Sequence, residues 1–343
     1  MKSSDVRLPT RDAGSRWFVV LLRVALAIGA LWALRRELHD VHADALVAQV
    51  QAYGWSHVAL AVICATGSFV VLGVVELLAV RHADTAAKTR VSVRAALGTG
   101  FVANAVSQSV GVALLTGAAV RVRAYARYGM DAVAVAQVTA FVTLTATIGL
   151  LAAGAAALLA TSVPVVIGTT TIAVRPWGVL LGCIVMAYLA WSVVGKRDFI
   201  GRGRWRLARP SPAMAGSQIL LSVLDWLLAG MVLYAFMPAS AGLGVAAVLS
   251  AYVIAQTVAV TSHIPAGAGV FEVAVLSLIT RAAPAVDRSA VVAALVMFRV
   301  VYYLAPLLIA TVVAGVVELS RARGRRAQSG DASYAEVRAQ RAS

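Results

Sequence analysis

Thr261-Ser262-His263-Ile264-Pro265-Ala266-Gly267-Ala268-Gly269-Val270-Phe271-Glu272 interrupts an apolar run that extends from residue 245 to residue 281. Pro265 removes a backbone donor, and Gly267 and Gly269 open conformations that a helix excludes. The stretch reads as two half-helices meeting at a break, with a single kinked span as the competing reading. At membrane depth, irregular backbone is tolerated only where protein buries it or where it lines a cavity.

Composition puts the break in a membrane. Of the 343 residues, 61% are hydrophobic and 13% charged, against roughly 45–50% and about 25% in a soluble domain. Too little polar material remains to coat a globule, which excludes a soluble enzyme and leaves a polytopic helical membrane protein. Apolar runs long enough to cross a bilayer lie at 17–34, 56–80, 132–160, 176–194, 213–236 and 290–318. A second interrupted run, 95–120, joins the one at 245–281. The expected fold is therefore all-α: a polytopic integral membrane protein with six full spans plus two re-entrant helical hairpins in inverted orientation.

A net charge of +15 would by itself suggest nucleic acid, but the basic residues flank spans without aromatic interleaving, and no nucleic-acid partner is expected. They gather at the N-terminus (Lys2, Arg7, Arg11, Arg16), at Arg81, Lys88, Arg90 and Arg94, and at Arg121, Arg123 and Arg127. Two more clusters occupy the 195–211 loop and the tail from Arg321 onwards. Positive-inside bias places all five, and both termini, in the cytoplasm against anionic lipid. That holds only if 95–120 enters and leaves on the cytoplasmic side and 245–281 on the outer side. The expected organisation is a cytoplasmic N-terminus at 1–16, a transmembrane domain at 17–319 and a basic disordered cytoplasmic tail at 320–343. The first apolar run ends in Arg35-Arg36 instead of the small residues of a cleavage site, so it is expected to be a retained anchor.

The run at 95–120 carries Asn104, Ser107, Gln108 and Ser109 near its middle, followed by Gly111 and Gly117. Amides left unsatisfied in hydrocarbon are costly, so these groups must face protein or water. An ordinary span whose small and polar residues pack on neighbours is the competing reading. With an offset of 150 residues, Thr116–Val120 falls on Ala266–Val270. That weak likeness, together with entry from opposite sides, reads as an inverted repeat with discontinuous helices, a transporter signature.

Arg23, Glu76, Asp225, Glu272 and Arg299 stand inside apolar runs. A central charge costs about 2.5–3.5 kcal/mol on insertion scales, so each is expected to face the interior with a partner. Arg23 and Glu76, near the inner ends of antiparallel spans, are expected to pair. Asp225, Glu272 and Arg299 are expected to converge near mid-membrane. One cation against two carboxylates leaves an imbalance that a protonated carboxyl or an anionic cargo on Arg299 would remove; a purely structural triad is the competing reading. Trp226, Tyr302 and Tyr303 serve either as packing and interfacial anchors or as cargo contacts.

Several of these stretches resemble the flippase domain family of the bacterial lysylphosphatidylglycerol synthetase/flippase. The resemblance is carried by Phe101-Val102-Ala103-Asn104-Ala105, Leu115-Thr116-Gly117-Ala118-Ala119-Val120-Arg121, Leu224-Asp225-Trp226-Leu227-Leu228, Ser262 to Glu272, and Phe298-Arg299-Val300-Val301-Tyr302-Tyr303. It implies translocation of phospholipid between leaflets, re-entrant helix pairs around a central cavity, and cavity positions for Asp225, Glu272 and Arg299. Bifunctional members continue into a large soluble aminoacyl-transfer domain; the present chain is expected to be a stand-alone member without that synthase.

The function expected is a multi-pass plasma-membrane flippase moving a phospholipid, aminoacylated phosphatidylglycerol or another lipid-linked cargo, through a central polar cavity. Its candidate cargo-binding or translocation residues are Arg299, Asp225, Glu272, Asn104, Gln108, His263 and Tyr302, with re-entrant breaks at Pro265, Gly267, Gly269, Gly111 and Gly117. Arg299 would contact phosphate, and Asp225 or Glu272 would contact a cationic headgroup or relay a proton. The alternative is a non-transporting membrane subunit that anchors or regulates a lipid- or envelope-modifying enzyme. Expected partners are the phospholipid substrate, the surrounding membrane lipids, and a second copy of the chain or such an enzyme. No catalytic constellation stands out, so the chain is read as a non-enzyme without a cofactor. His39-Asp40-Val41-His42 with Asp44 reads as a short amphipathic segment capped by Asp40, and Cys64 and Cys183 lack metal-ligand spacing, so no metal site is expected.

Overall fold

The computed structural model describes residues 53–83, 90–110, 113–160, 170–195, 207–261 and 269–316, with the short pieces 48, 51, 165–167, 199–200 and 267. The protein is helical: α1 Trp55–His82, α2 Val93–Val110, α3 Ala113–Tyr125, α4 Ala132–Ala160, α5 Arg175–Val194, α6 Pro212–Phe236, α7 Val245–Thr261, α8 Val270–Ala282 and α9 Arg288–Arg299. A π-helical turn, Val300–Leu304, follows α9, and the helix then continues to Val316. Two antiparallel ladders in connecting segments qualify the all-α expectation. Val165–Ile167 pairs with Thr170–Ile172, and Phe199–Ile200 with Leu207–Ala208.

Five helices are long and apolar enough to cross a membrane: α1, α4, α5, α6 and the continuous rod Arg288–Val316. They coincide with five of the six expected spans; the remaining one, 17–34, lies outside the described residues. α1 has 28 residues, about 42 Å of helix against a hydrocarbon layer about 30 Å thick. Its backbone groups are satisfied within the helix, which hydrocarbon demands. Ala61, Cys64, Ala65, Ser68, Leu72, Val75, Glu76 and Ala79 form its buried face, while Ile63 and Val70 point outward. An apolar exterior of this kind suits lipid.

Each interrupted run contains two helices, but Gly117, expected at a break, lies within α3, where its lack of a side chain admits close packing instead. The first forms α2 and α3, separated at 111–112, and the second forms α7 and α8, separated between Thr261 and Val270. Gly267 and Gly269 have φ of +61° and +80°, a region that favours glycine. Gly111, His263 and Pro265 lie outside the described residues.

Small residues let the helices close up around α1 and α6. A Cβ on Gly100 of α2 would come within 2.7 Å of the Glu76 Cβ, and one on Gly149 of α4 within 2.0 Å of the Ser222 Oγ on α6. The main core joins α1, α6, α7, α8 and α9; a second core packs the end of α1 on the starts of α2 and α4 and on Tyr125 of α3.

Candidate functional site

A buried ion pair, a half-buried one and a buried hydroxyl–carboxylate chain form the polar interior. Arg299, the last residue of α9, donates from Nε to Oε1 of Glu272 at 2.7 Å, and its Nη2 also contacts that oxygen. Oε2 of Glu272 accepts from the Gly269 N–H at 2.8 Å. Glu272 therefore has two tasks, balancing a cation and capping α8 at its third residue. The guanidinium carbon of Arg299 lies 4.7 Å from the centroid of the Tyr303 ring and 5.6 Å from that of Phe271. Aromatic faces and one carboxylate thus hold a strongly donating group at a helix break. At the other end of α9, Asp287 accepts from the Ser289 N–H and hydroxyl at 2.9 and 2.7 Å. These bonds cap the helix and hold the Asp287 carboxyl below its ordinary range.

Asp225 does not share this pair. It accepts from the Ser68 hydroxyl of α1 at 2.5 Å, and Ser68 Oγ lies 2.8 Å from the Tyr302 hydroxyl on the π turn. The Gln108 side chain of α2 neighbours the same tyrosine hydroxyl. Its Oε1 is buried without a hydrogen-bond partner among the described residues, as is the hydroxyl of Tyr252 on α7. Tyr252 is fully buried, and its ring packs edge-on against Phe271 and Phe298 at centroid distances of 5.8 Å. Phe298 stacks on Tyr302 at 5.5 Å. The π turn brings Tyr302 and Tyr303 onto this cluster immediately after Arg299, a local irregularity of the kind that gathers at functional sites.

The structure corrects the expected pairing of Glu76. Arg121 of α3 donates from Nε to both Glu76 oxygens at 3.0 Å and from Nη2 to Oε2 at 2.8 Å; the Tyr125 hydroxyl adds a bond at 2.8 Å. Arg121 is thus buried rather than one of the cytoplasmic surface charges, while Arg123 and Arg127 are exposed. Arg23, the expected partner of Glu76, lies outside the described residues. Close packing favours this geometry, because a Cβ on Gly117 would meet Ser107 Oγ at 2.5 Å and Arg121 Nη1 at 2.9 Å.

The expected triad therefore divides. Glu272 and Arg299 come together, whereas Asp225 belongs with Ser68, Gln108 and Tyr302. Asn104 is half-buried and donates to the Gly100 carbonyl one turn back at 2.8 Å. Sequence reasoning missed Ser68 and Tyr252. It also missed the bracket in which Gln218 of α6 donates to Thr145 of α4 at 2.7 Å and accepts from Tyr188 of α5 at 2.5 Å. The available signal was a lone amide among apolar residues in each case of this bracket type; Ser68 offered only a single hydroxyl.

Comparison with known proteins agrees with this architecture. A protein of Synechocystis sp., slr0712, is 35% identical over 237 residues, covering 68% of this chain and 72% of its own length. Inner membrane protein YbhN of Escherichia coli is 29% identical over 160 residues, covering 47% of this chain and 48% of its own length. Residues 20–310 match the family model of the lysylphosphatidylglycerol synthase transmembrane region, and the chain belongs to that family.

Proposed function

We propose that the protein is a plasma-membrane flippase that moves a phospholipid between leaflets, its headgroup crossing the polar interior while the acyl chains stay in lipid. The observation that carries this reading is the Glu272–Arg299 pair, a half-buried guanidinium held by a carboxylate at an interrupted helix. A lipid phosphate can replace that carboxylate with little change in geometry, since guanidinium recognises both in the same fork. Glu272, once released, can receive a cationic headgroup. Asn104, Gln108, Tyr302 and His263 are the proposed headgroup contacts along the path.

In this reading the α2–α3 and α7–α8 pairs are re-entrant hairpins entering from opposite faces, 17–34 supplies the sixth span, and both termini are cytoplasmic. The basic clusters support that orientation. The name of the relative YbhN supports an inner-membrane location. We read the chain as a carrier and not an enzyme, in line with the transmembrane-region family it matches.

Purified protein in liposomes with labelled phospholipids of varied headgroup, aminoacylated phosphatidylglycerol among them, tests the reading. Wild type should exchange label between leaflets and Arg299→Ala should not. Equal exchange by both removes the role of Arg299. A wild type that moves no headgroup but retains a stable co-purifying lipid-modifying enzyme favours the non-transporting subunit instead.

A further inference from the structure

We infer that Asp225, Ser68, Tyr302 and Gln108 form a proton-binding chain that links the charge state of Asp225 to the first interrupted helix pair. The inference rests on the transport reading above for its biological use, and on geometry for its existence.

Asp225 is 6% exposed near the middle of the apolar helix α6, and its donor among the described residues is a neutral hydroxyl, that of Ser68. The guanidinium of Arg299 is committed to Glu272. An anionic carboxylate at this depth without a cation beside it is expensive, and such residues mark proton or ion pathways. The chain around it has two consistent directions. Ser68 has one hydroxyl proton and gives it to Asp225; the 2.8 Å contact with Tyr302 must then run from the tyrosine to the serine. Gln108, beside the tyrosine hydroxyl, fits this state with its amide nitrogen turned to the tyrosine oxygen, and its Oε1 has no partner among the described residues.

One added proton reverses the series. Protonated Asp225 donates to Ser68 Oγ, Ser68 donates to Tyr302 Oη, and the tyrosine proton turns toward Gln108. A half-turn of the Gln108 amide then presents Oε1 as the acceptor, and the atom that had no partner gains one. One proton enters, on the Asp225 carboxylate; the hydrogen bonds reverse, no covalent bond breaks, and every hydroxyl keeps its own hydrogen. Ser68 is on α1, Asp225 on α6, Tyr302 on the π turn beside Arg299, and Gln108 in the last turn of α2, next to the break before α3. The proton therefore acts on the tip of the first helix pair and on the turn that carries Arg299.

The titratable groups on the elements packed around Asp225 are His57, Cys64, Glu76, Arg81 and His82 on α1, Arg94 on α2, Arg175, Cys183 and Tyr188 on α5, Tyr252 on α7, Glu272 and Arg281 on α8, and Arg288, Arg299, Tyr302 and Tyr303 on the last span; α6 itself adds Tyr234, and α4 carries none. Glu76 and Glu272 are each held by an arginine, whereas the partner of Asp225 among the described residues is the Ser68 hydroxyl.

Infrared difference spectra between acid and alkaline buffer test the site in reconstituted full-length protein. Wild type should show a carboxylic-acid carbonyl band that Asp225→Asn removes, Ser68→Ala displaces and Ser68→Thr leaves near its original position. The Ser68 pair keeps the test decisive if Asp225→Asn does not fold. In the same vesicles, reversing an imposed pH gradient should change labelled-lipid exchange about tenfold in wild type and leave Asp225→Asn unaffected. A band unaltered by both Asp225→Asn and Ser68→Ala, or wild-type exchange that proceeds but is indifferent to the gradient, overturns the inference. A band that behaves as stated in a protein that moves no lipid upholds the proton site and removes the transport reading.

Discussion

The Arg121 guanidinium on α3 grips both oxygens of Glu76 on α1, with Nε 3.0 Å from each. Across the molecule the same two residue types meet with their places exchanged. There the acid, Glu272, sits on the second helix of an interrupted pair, and the base, Arg299, on a spanning helix. Each interrupted pair is thus tied to a long helix by one buried guanidinium–carboxylate contact of opposite polarity. Glu76 has no exposed surface, and the Arg121 side chain is 4% exposed, against 19% for Arg299. The first pair is the more completely enclosed, and it also holds the Tyr125 hydroxyl. Enclosure suits an anchor, and partial access suits an exchanging contact.

Removing one partner of an enclosed pair strands the other charge. Arg121→Ala should therefore destabilise the fold by about 3–5 kcal/mol, whereas Arg123→Ala, exposed on the same helix, should change stability little. Thermal unfolding of the purified variants in detergent checks the contrast. Equal melting of Arg121→Ala and wild type would show that the Glu76 contact contributes nothing.

The α4–α6 contact should be intolerant of volume. A Cβ at Gly149 would lie 2.0 Å from Ser222 Oγ, 2.2 Å from its Cβ and 3.0 Å from its backbone carbon. Rotating the serine relieves only the first of these, so the helices must separate. Gly149→Ala should cost about 1–3 kcal/mol, and Ser222→Gly introduced alongside should recover part of it. Melting temperatures of the single and double variants decide; a single variant as stable as wild type would contradict the observed approach.

Much of this arrangement could be read from local signals. The division of each interrupted run into two helices was legible from its glycines, though Gly117 proved to serve packing inside α3, and the five described spans were legible because apolar length is a property of the segment itself. Glu76 illustrates the opposite case. Arg121 follows an apolar run as a topology-setting charge does, and only the fold of α3 back onto α1 turns it inward. Glu272 and Arg299 were expected together and are found together, yet the surroundings of Asp225 depended on the π turn that brings in Tyr302, which no residue pattern announces. Ser68 is one hydroxyl in an apolar helix, and its meaning comes entirely from the helices facing it.

Gln218 offers a test of scale. Its amide joins Thr145 and Tyr188, bracing α4, α5 and α6 with neutral hydrogen bonds. Such bonds between membrane helices average about 0.6 kcal/mol, well below a stranded charge. Tyr188→Phe should therefore lower stability by roughly that amount, while Gln218→Leu, which leaves both partners unsatisfied, should lower it more. Double-mutant cycles measured by unfolding would quantify the coupling, and a Tyr188→Phe loss as large as that of Arg121→Ala would refute the ranking.

Glu272→Gln separates the two tasks of that side chain. Glutamine retains an oxygen that can accept from the Gly269 N–H, now met by Glu272 Oε2 at 2.8 Å, so the start of α8 stays capped. It loses the negative charge that holds Arg299. Stability should fall by less than in Glu272→Ala, which loses the cap as well; caps are worth about 1 kcal/mol. If Arg299 exchanges its carboxylate for a lipid phosphate, the freed guanidinium in Glu272→Gln should bind phospholipid more tightly and release it more slowly. Lipid retention through purification, measured by mass spectrometry, should rise while exchange between leaflets falls. Retention that falls together with exchange would instead assign Glu272 to the shape of the helix break, because the change would then follow the loss of structure and not the loss of charge.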